Sequence, residues 1–361
     1  MQTEDGQSLS SPRKDVKGSL GGRKALVTGA SGFVGSHVVD RLLAVGMTVV
    51  GVDSFEDYYP RALKVANLDT ALRHPSFTLV EAELQALASQ EMPGPNRLSS
   101  LVSDADVVFH FAAQAGVRAS WGGSFGVYVA NNVQATQTLL EACKGTSVQR
   151  FVYASSSSVY GDTDVLPMRE DARCAPASPY GVTKLAAEHL CGLYWKSFGV
   201  PTVSLRFFTV YGPRQRPDMA FNKFIRAMME NAPIEMFGDG GQTRDFTYVS
   251  DIVDGIVQAI GAPPGSVLNL GGGARVSLAD AVHVLEACSG RKARILQKGL
   301  QSGDVRHTWA DLELARRVLG YEPKVSLGEG LAAEFDWLSD VSGQSSLTDR
   351  HSEAASREQG S

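Results

Sequence analysis

Tyr180 and Lys184 stand four residues apart in SPYGVTK, and none of the other nine tyrosines has a lysine at this spacing. Residues four apart share one face of a helix. An ammonium group beside a phenol favours the phenolate and lowers a pKa that is about 10 in model peptides. The pair could therefore act as a general base near neutral pH. The alternative is a solvated helix face on which the spacing has no function.

A serine cluster precedes this pair, in FVYASSSSVYG at the end of a predicted strand. A hydroxyl there could share a hydrogen bond with a reacting oxygen. Four consecutive serines can also be a polar loop, but the apolar residues on both sides argue against simple low complexity.

Three glycines, Gly29, Gly32 and Gly35, stand at three-residue spacing between an apolar strand and an amphipathic helix. Such glycines permit a tight turn and a close approach of the backbone to a pyrophosphate. Asp53 ends the next strand, where an acidic residue accepts hydrogen bonds from an adenine ribose. Its charge repels a 2′-phosphate, so NAD is favoured over NADP. Alone, the glycines could be only a tight turn and Asp53 a solvated strand end.

The elements that must position these residues are short buried strands alternating with helical segments. The strands are KALVTG, MTVVGVD, FTLVEAE, DVVFHFAA, RFVYASS and TVSLRFF, and the first helix runs over 35–45. This alternation predicts an α/β fold, a Rossmann-like doubly wound parallel sheet with helices on both faces. From about residue 213, helices over 219–231 and 249–260 predict a smaller C-terminal α/β substrate domain with a cleft at the boundary.

Composition excludes several classes of protein. The 361 residues are 43% hydrophobic and 20% charged, with a net charge of −5, which is typical of a globular protein. We expect no membrane span and no nucleic-acid partner. The four cysteines form no CxxC pair and, with the histidines, no metal-ligand spacing, so we expect no metal and a cytoplasmic protein. The polar ends, 1–21 and 341–361, are expected to be disordered.

Six motifs carry a family resemblance: TGASGFVG, Asp53, SSSSVYG, SPYGVTK, RFFTVYGPRQRPDMA and GDGGQTRDFTYVSD. In this order and spacing they resemble the extended short-chain dehydrogenase/reductase family of NAD-dependent epimerases and dehydratases, and most closely its UDP-glucuronate 4-epimerases. The resemblance covers about residues 22–340. It implies an NAD-binding domain over 22–212, to which segments near 245–272 return, and a nucleotide-sugar-binding domain over 213–340.

The resemblance also assigns residues by motif position. Ser156, Tyr180 and Lys184 match the catalytic set. It implies a homodimer paired through the helices after Asn131 and after Tyr180. Glu83 departs from the aspartate usual in the family. Besides the three glycines and Asp53, the positions implied to contact NAD are Phe33, Val34, Glu83, Leu84, Phe111, Ala112, Ala113, Asn131, Tyr180, Lys184 and Phe208.

The reaction implied is inversion at C4 of a UDP-sugar through a 4-keto intermediate, with NAD retained. Related dehydratases carry an Asp-Glu pair where this chain has Ser157 and Ser158, and related decarboxylases carry a glutamate in place of Ser158. Epimerisation needs neither group. The alternatives are a UDP-glucose 4-epimerase, another NAD-dependent nucleotide-sugar enzyme such as a decarboxylase or dehydratase, and a non-catalytic NAD-binding scaffold.

UDP-glucuronate is favoured as substrate by Thr209, which replaces an asparagine of the glucose-specific enzymes, and by Arg216, whose planar fork suits a carboxylate. Arg216 could instead be a surface charge. Ser157 and Ser158 could add hydroxyl donors. Further positions expected at the sugar, phosphate or ribose are Arg118, Ser156, Tyr180, Asn222, Lys223, Arg244, Asp304 and Arg306.

Overall fold

The computed structural model describes residues 20–89, 97–299, 301 and 303–358. The predicted N-terminal extension 1–21 lies outside them except for its last two residues. The strands are β1 (Lys24–Thr28), β2 (Thr48–Asp53), β3 (Phe77–Glu81), β4 (Val107–His110), β5 (Arg150–Ser156), β6 (Thr202–Phe207), β7 (Thr209–Tyr211), β8 (Pro233–Phe237), β9 (Thr243–Tyr248), β10 (Val267–Leu270), β11 (Arg275–Ser277) and β12 (Arg294–Lys298).

Helices connect and cover these strands. They are α1 (Phe33–Ala44), α2 (Arg61–Asn67), α3 (Asp69–Leu72), α4 (Leu84–Ala88), α5 (Leu98–Ser103), α6 (Phe125–Tyr128), α7 (Ala135–Cys143), α8 (Pro179–Phe198), α9 (Ala220–Met229), α10 (Val249–Gln258), α11 (Leu278–Ser289), α12 (Glu313–Leu319) and α13 (Leu327–Glu358). A π-helical segment, Val129–Gln134, joins α6 to α7.

A seven-stranded sheet forms the centre, in the order β3-β2-β1-β4-β5-β6-β10. Each neighbouring pair in it is parallel. The chain leaves β1 first toward β3 and then, through β4, toward β10. The strand order therefore reverses between β1 and β4, and ligands of such sheets bind at this switch point, beyond the carboxyl ends of the strands. The predicted Rossmann-like α/β fold and its six predicted strands are confirmed.

Two smaller sheets lie after β6 in the chain. One has the order β11-β9-β7 and the other pairs β12 with β8. A separate apolar cluster, which includes Phe221, Phe224, Ile234, Leu285 and Leu331, joins α9, α11 and α13 to these strands. β10 and α10 belong instead to the main body, because β10 extends the seven-stranded sheet and α10 packs on α1.

The C-terminal segment differs from the expectation of a disordered tail over 341–361. Its backbone is helical to Glu358, as the continuation of α13, and residues 359–361 lie outside the described residues. A helix that has already nucleated gains one hydrogen bond for each residue it fixes, so it can extend through polar sequence. Within the described residues no helix combines the length and apolarity needed to cross a membrane.

Candidate active site

The turn after β1 brings backbone atoms together at the switch point. Gly29 has a φ of 71°, and a Cβ there would lie 2.6 Å from the Ala112 nitrogen. A Cβ on Gly35 would lie 2.0 Å from the Gly29 carbonyl oxygen. No side chain caps the start of α1 at Gly32, so the helix directs uncapped first-turn amides at the cleft. Absent side chains, free amides and a helix N-terminus together fit a dinucleotide diphosphate.

Asp53 stands at the end of β2. Its Oδ2 accepts the Ser31 N–H at 2.9 Å and its Oδ1 accepts the Phe55 N–H at 2.9 Å. Each carboxylate oxygen keeps a further lone pair, so Asp53 can also accept hydrogen bonds from a ribose. The arrangement holds the carboxylate beside the glycine turn.

An open cleft with about 1300 Å³ of empty space runs along this edge of the sheet. Phe208 does not line it: the residue is buried, with its ring 6.2 Å from that of Tyr160. Its predecessor Phe207 lines the cleft instead, because successive side chains of an extended chain point to opposite faces. The other predicted cofactor residues that line the cleft are Gly29, Gly32, Phe33, Val34, Gly35, Asp53, Glu83, Leu84, Phe111, Ala112, Ala113, Asn131, Tyr180 and Lys184.

Tyr180 and Lys184 lie in the first turns of α8. Ser178 caps this helix by accepting the Gly181 N–H at 3.1 Å, and Pro179 occupies the first helical position, both favoured helix starts. Ser156, which ends β5, lies close enough to Tyr180 for hydrogen bonding between them to act on the Tyr180 pKa. The three residues that match the catalytic set are therefore brought together beside the cleft.

The electrostatics of this group differ from the sequence argument. Burial raises the pKa of Tyr180, while the hydrogen bond with Ser156 and the charge of Arg216 act to lower it. Burial also lowers the pKa of Lys184 to about 8. The Lys184 ammonium donates to the Ala154 carbonyl at 2.9 Å. The expected lowering of the Tyr180 pKa by Lys184 is therefore wrong, because desolvation raises this pKa and the groups that act to lower it are Ser156 and Arg216.

A second, smaller pocket lies on the other side of Ser156. It is lined by the side chains of Ser157, Ser158, Thr209, Arg244 and Asp304, among others. Arg244 donates to the carbonyl oxygens of Thr243, at 2.8 Å, and Arg306, at 3.2 Å, and burial lowers its pKa. The pocket thus offers hydroxyls and one partly desolvated guanidinium.

Arg118 and Arg306 lie outside this pocket's lining. Arg118 pairs with Asp304 at 2.7 Å and lies 4.2 Å above the Phe237 ring. Arg306 is exposed, and its side chain donates to Asp239 at 3.3 Å. The Arg306 carbonyl, not its side chain, contacts Arg244, and its expected contact with the sugar nucleotide stays a prediction.

Asn222 and Lys223 also lie outside that lining. Asn222 is buried in α9, where its amide donates to the Gln215 carbonyl at 2.7 Å and its Oδ1 accepts from Arg226 at 2.8 Å. Lys223 is exposed. The helix turns Asn222 toward the 215 loop, and neither residue lines the smaller pocket, so their expected contacts with the nucleotide stay predictions.

Arg216 lines the cofactor cleft rather than the smaller pocket. Its Nε and Nη2 donate to the two carboxylate oxygens of Asp218 at 2.9 and 3.0 Å. Its position near Tyr180 is reflected in its effect on the Tyr180 pKa. Arg216 is thus a charged group at the reacting end of the cleft rather than a surface charge.

Comparisons with known proteins assign the family. A model described as the NAD dependent epimerase/dehydratase family matches residues 25–271. The chain belongs to this family. A Bacillus subtilis protein named an uncharacterized UDP-glucose epimerase, YtcB, is 46% identical over 321 residues, 88% of this chain and 98% of its own.

Two further relatives of this epimerase/dehydratase-family chain carry a more specific name. The UDP-glucuronate 4-epimerase of Thermodesulfobacterium geofontis is 37% identical over 316 residues, 86% of this chain and 95% of its own. The crystal structure of UDP-glucuronic acid 4-epimerase from Bacillus cereus, in complex with UDP-glucuronic acid and NAD, is 45% identical. It superposes with a TM-score of 0.83 over 88% of this chain and 99% of that one.

A buried network that the sequence did not reveal supports the cleft of this family member. The Thr136 hydroxyl donates to the Asn132 carbonyl at 2.6 Å, so it accepts from His110 Nε2 at 2.9 Å. His110 Nδ1 then accepts from the Thr28 hydroxyl at 2.7 Å, and the Thr28 oxygen accepts the Ala112 N–H at 3.3 Å. Burial lowers the pKa of His110 to about 3. The imidazole is therefore neutral, as this series of hydrogen bonds requires.

Asn132 extends the network to the helix of the catalytic set. Its side chain bonds both backbone groups of Gln114 at 2.7 and 3.0 Å and donates to Thr183 at 2.9 Å. Thr183 directly precedes Lys184. The π-helical segment turns Asn131 to the cleft and Asn132 inward; no sequence period signals such a segment.

Behind Ser156, the epimerase/dehydratase-family chain holds a buried ion pair. Arg206 donates to Glu188 at 2.6 Å, and the Ser155 hydroxyl donates to the same carboxylate at 2.6 Å. The ion pair joins β6 to α8, and the Ser155 hydrogen bond adds β5 to it. Among the described residues, no cluster of three or more His, Cys, Asp and Glu side chains is arranged to bind a metal.

Proposed function

We propose that this chain interconverts UDP-glucuronate and UDP-galacturonate by inverting C4, with transient oxidation to a 4-keto sugar. The observation that carries the proposal is the proximity of Ser156 to Tyr180, which lines the dinucleotide cleft, together with a second pocket lined by Ser157, Ser158 and Thr209. The names of the Thermodesulfobacterium geofontis and Bacillus cereus relatives support the same reaction.

The acid-base chemistry falls to Tyr180. As the phenolate it takes the proton of the C4 hydroxyl, and it returns that proton when C4 is reduced again. Ser156 hydrogen bonds to the same oxygen and orients it. Lys184, with a pKa of about 8, is largely protonated at pH 7.

NAD is the cofactor of the family and, when bound, would supply the reversible hydride chemistry at C4. The glycine turn and the first turn of α1 would hold its diphosphate, and Asp53 would accept hydrogen bonds from the adenine ribose. The backbone amide of Ala112 is fixed by Thr28 at the centre of the cleft. The bound nucleotide anchors the 4-keto sugar while the ring turns over.

The substrate groups are assigned by charge. The 213–340 region supplies the nucleotide-sugar side, with Arg244 placed to meet the diphosphate and Asp304 to meet the ribose. Arg216 meets the sugar carboxylate from the cofactor side, and Ser157, Ser158 and Thr209 surround the ring. The absence of a carboxylate at the two serines argues against water elimination or decarboxylation in this pocket, since those steps need acid-base groups there.

A UDP-glucose 4-epimerase is the second candidate, favoured by the name of the Bacillus subtilis relative. The same catalytic residues would serve it. The two candidates differ in the group at C6, a carboxylate or a hydroxymethyl, which is the group that Arg216 distinguishes.

We also propose a cytoplasmic homodimer paired through α7 and α8. Val182 and Leu193 on α8, and Phe125 and Val129 before α7, are apolar yet exposed, as expected of a face that a second copy covers. Light scattering tests the pairing: we expect twice the chain mass, and a monomeric Leu193→Asp variant. A wild-type monomer would contradict it.

The activity test uses the purified chain without added NAD or metal, with UDP-glucuronate and separately with UDP-glucose, followed by proton NMR. We expect conversion of the acid to the galacto-configured product. Conversion of UDP-glucose alone would favour the second candidate. No conversion of either, even with NAD added, would contradict the enzyme assignment.

A further inference from the structure

Three side chains from two distant segments form one unit, the Tyr58–Asp218–Arg216 cluster, in which Tyr58 and Arg216 line the cleft and Asp218 is exposed. Asp218 accepts two hydrogen bonds from Arg216, at 2.9 and 3.0 Å, and one from the Tyr58 hydroxyl at 3.2 Å. The Arg216 guanidinium lies 5.8 Å from the centroid of the Tyr58 ring. The pairing raises the pKa of Arg216 and lowers that of Asp218, although burial acts in the opposite direction on each group. Both groups are therefore charged at neutral pH.

Asp218 occupies only one edge of the guanidinium. Nε and Nη2 make the contact, and no described residue hydrogen bonds to Nη1 of Arg216. Because a guanidinium is planar, with its donors in a rigid fork, fixing the Nε–Nη2 edge also fixes the direction of the Nη1–Nη2 edge. That second edge can bind another carboxylate bidentately.

The backbone that carries Arg216 is anchored separately. The Pro213 carbonyl contacts Nε2 of His37 on α1 at 2.9 Å, and Arg214 pairs with Asp40 of the same helix at 2.8 Å. These contacts fix where the loop runs over the cleft. They leave the direction of the Arg216 side chain to be set by its own partner, Asp218.

We propose that Asp218 is a positioning residue for substrate choice, which aims Arg216 at the C6 carboxylate of the sugar so that uronates bind in preference to neutral hexoses. This inference rests on the proposed function. A hydroxymethyl group at C6 carries no charge and offers no second oxygen, so it gains little from an aimed guanidinium. The selectivity of the enzyme therefore depends on a residue that does not touch the substrate.

The test is Asp218→Asn in the full-length chain, which keeps the size of the side chain and removes its charge. We expect the KM for UDP-glucuronate to rise about tenfold with kcat little changed. The KM for UDP-glucose, or its dissociation constant by calorimetry where turnover is slow, should change less than about twofold. Tyr58→Phe, which removes only the outer hydrogen bond, should give a smaller rise, about two- to threefold.

Asp171→Asn is the matched control. Asp171 also pairs with an arginine two residues earlier, with Arg169 Nε at 3.2 Å, but both side chains are exposed. We expect this variant to leave both sugars unaffected.

Two results would overturn the inference alone, in a wild type that converts UDP-glucuronate. An equal loss for both sugars would mean that Asp218 only stabilises the loop. A lower KM for UDP-glucuronate would mean that Asp218 competes with the substrate for Arg216. A wild type that leaves UDP-glucuronate unconverted would instead contradict the proposed function, and this inference with it.

Discussion

The cofactor cleft and the sugar pocket are built from different atoms. At the diphosphate end of the cleft, the glycine turn and the first turn of α1 supply backbone atoms that lie within a few residues of one another. The pocket is lined instead by residues from separate segments, among them Ser157 after β5, Thr209 in β7, Arg244 in β9 and Asp304. A site made of backbone atoms tolerates few substitutions, because a new side chain would fill it. In a site made of side chains, single substitutions can remove one binding group at a time.

Tyr180→Phe would have the largest effect, because Tyr180 is the proposed acid-base group of the reaction. Loss of the general base should lower kcat about 10³-fold, within the usual range for such groups. NAD content should stay that of the wild type, because the glycine turn is untouched. Both are measured on the purified protein, by NMR of the sugars and by absorbance of the released cofactor.

Tyr194→Phe is the control for that variant. Tyr194 lies on the same helix, and its hydroxyl bonds Glu141 away from the cleft. It should keep full activity. A Tyr180→Phe enzyme with wild-type turnover would remove the catalytic role and favour an NAD-binding scaffold.

Gly35→Ala tests the backbone site. The new Cβ would lie 2.0 Å from the Gly29 carbonyl, so α1 must move from β1, at a cost of about 3 kcal/mol. We expect a lower midpoint in urea and the loss of bound NAD together. Gly192→Ala on α8 is the control, since a Cβ there meets no atom within 4 Å, and alanine favours a helix. Retention of NAD at the wild-type level in Gly35→Ala would show that the close contact is not required.

The same difference explains what the sequence could predict. The glycine spacing and Asp53 act locally, so the fold and this side of the cleft follow from a single stretch of chain. Arg306 and Asn222 were assigned by motif position, but their side-chain directions depend on Asp239 and Gln215, which come from other segments. The Tyr58 contact of the Tyr58–Asp218–Arg216 cluster and the His110 network depend likewise on tertiary packing that no local pattern encodes.

Buried titratable groups separate the two regions in their response to pH. His37 and His110 support the cofactor side, and burial lowers their pKa values to about 4 and about 3, so neither changes charge near neutrality. On the sugar side, Glu334 of α13 accepts the Gly212 N–H at 2.8 Å, at the start of the loop that carries Arg216. Burial raises its pKa to about 8, and the Gly212 hydrogen bond acts to lower it. Of His37, His110 and Glu334, only Glu334 should therefore ionise between pH 6 and pH 9.

Glu334→Gln tests this difference and has the smallest expected effect. An acid whose folded pKa is raised binds its proton more tightly in the folded state, so its contribution is complete below its ordinary pKa of 4.5 and is lost as the pH rises toward 8. Glutamine keeps an acceptor for Gly212 and cannot ionise. Relative to wild type, we expect the variant to be more stable at pH 8.5 by about 1–3 kcal/mol and nearly unchanged at pH 5. Urea unfolding at the two pH values measures it.

Asp336→Asn, on the exposed face of the same helix, is the control. It removes one carboxylate but keeps Glu334, so it should leave the urea-unfolding curves at both pH values unchanged. If Glu334→Gln and the wild type lost stability in parallel from pH 5 to pH 8.5, Glu334 would not be the group that ionises.

The pH response would then have to come from elsewhere on the sugar side, where Asp245 is the next candidate because burial raises its pKa to about 6. Asp245 accepts the Ala310 N–H at 3.0 Å, so its ionisation would act on the Asp304 segment of the pocket rather than on Arg216. The two groups can therefore be told apart by experiment. Ionisation of Asp245 should change the affinity for UDP with pH, whereas ionisation of Glu334 should change the preference for the uronate.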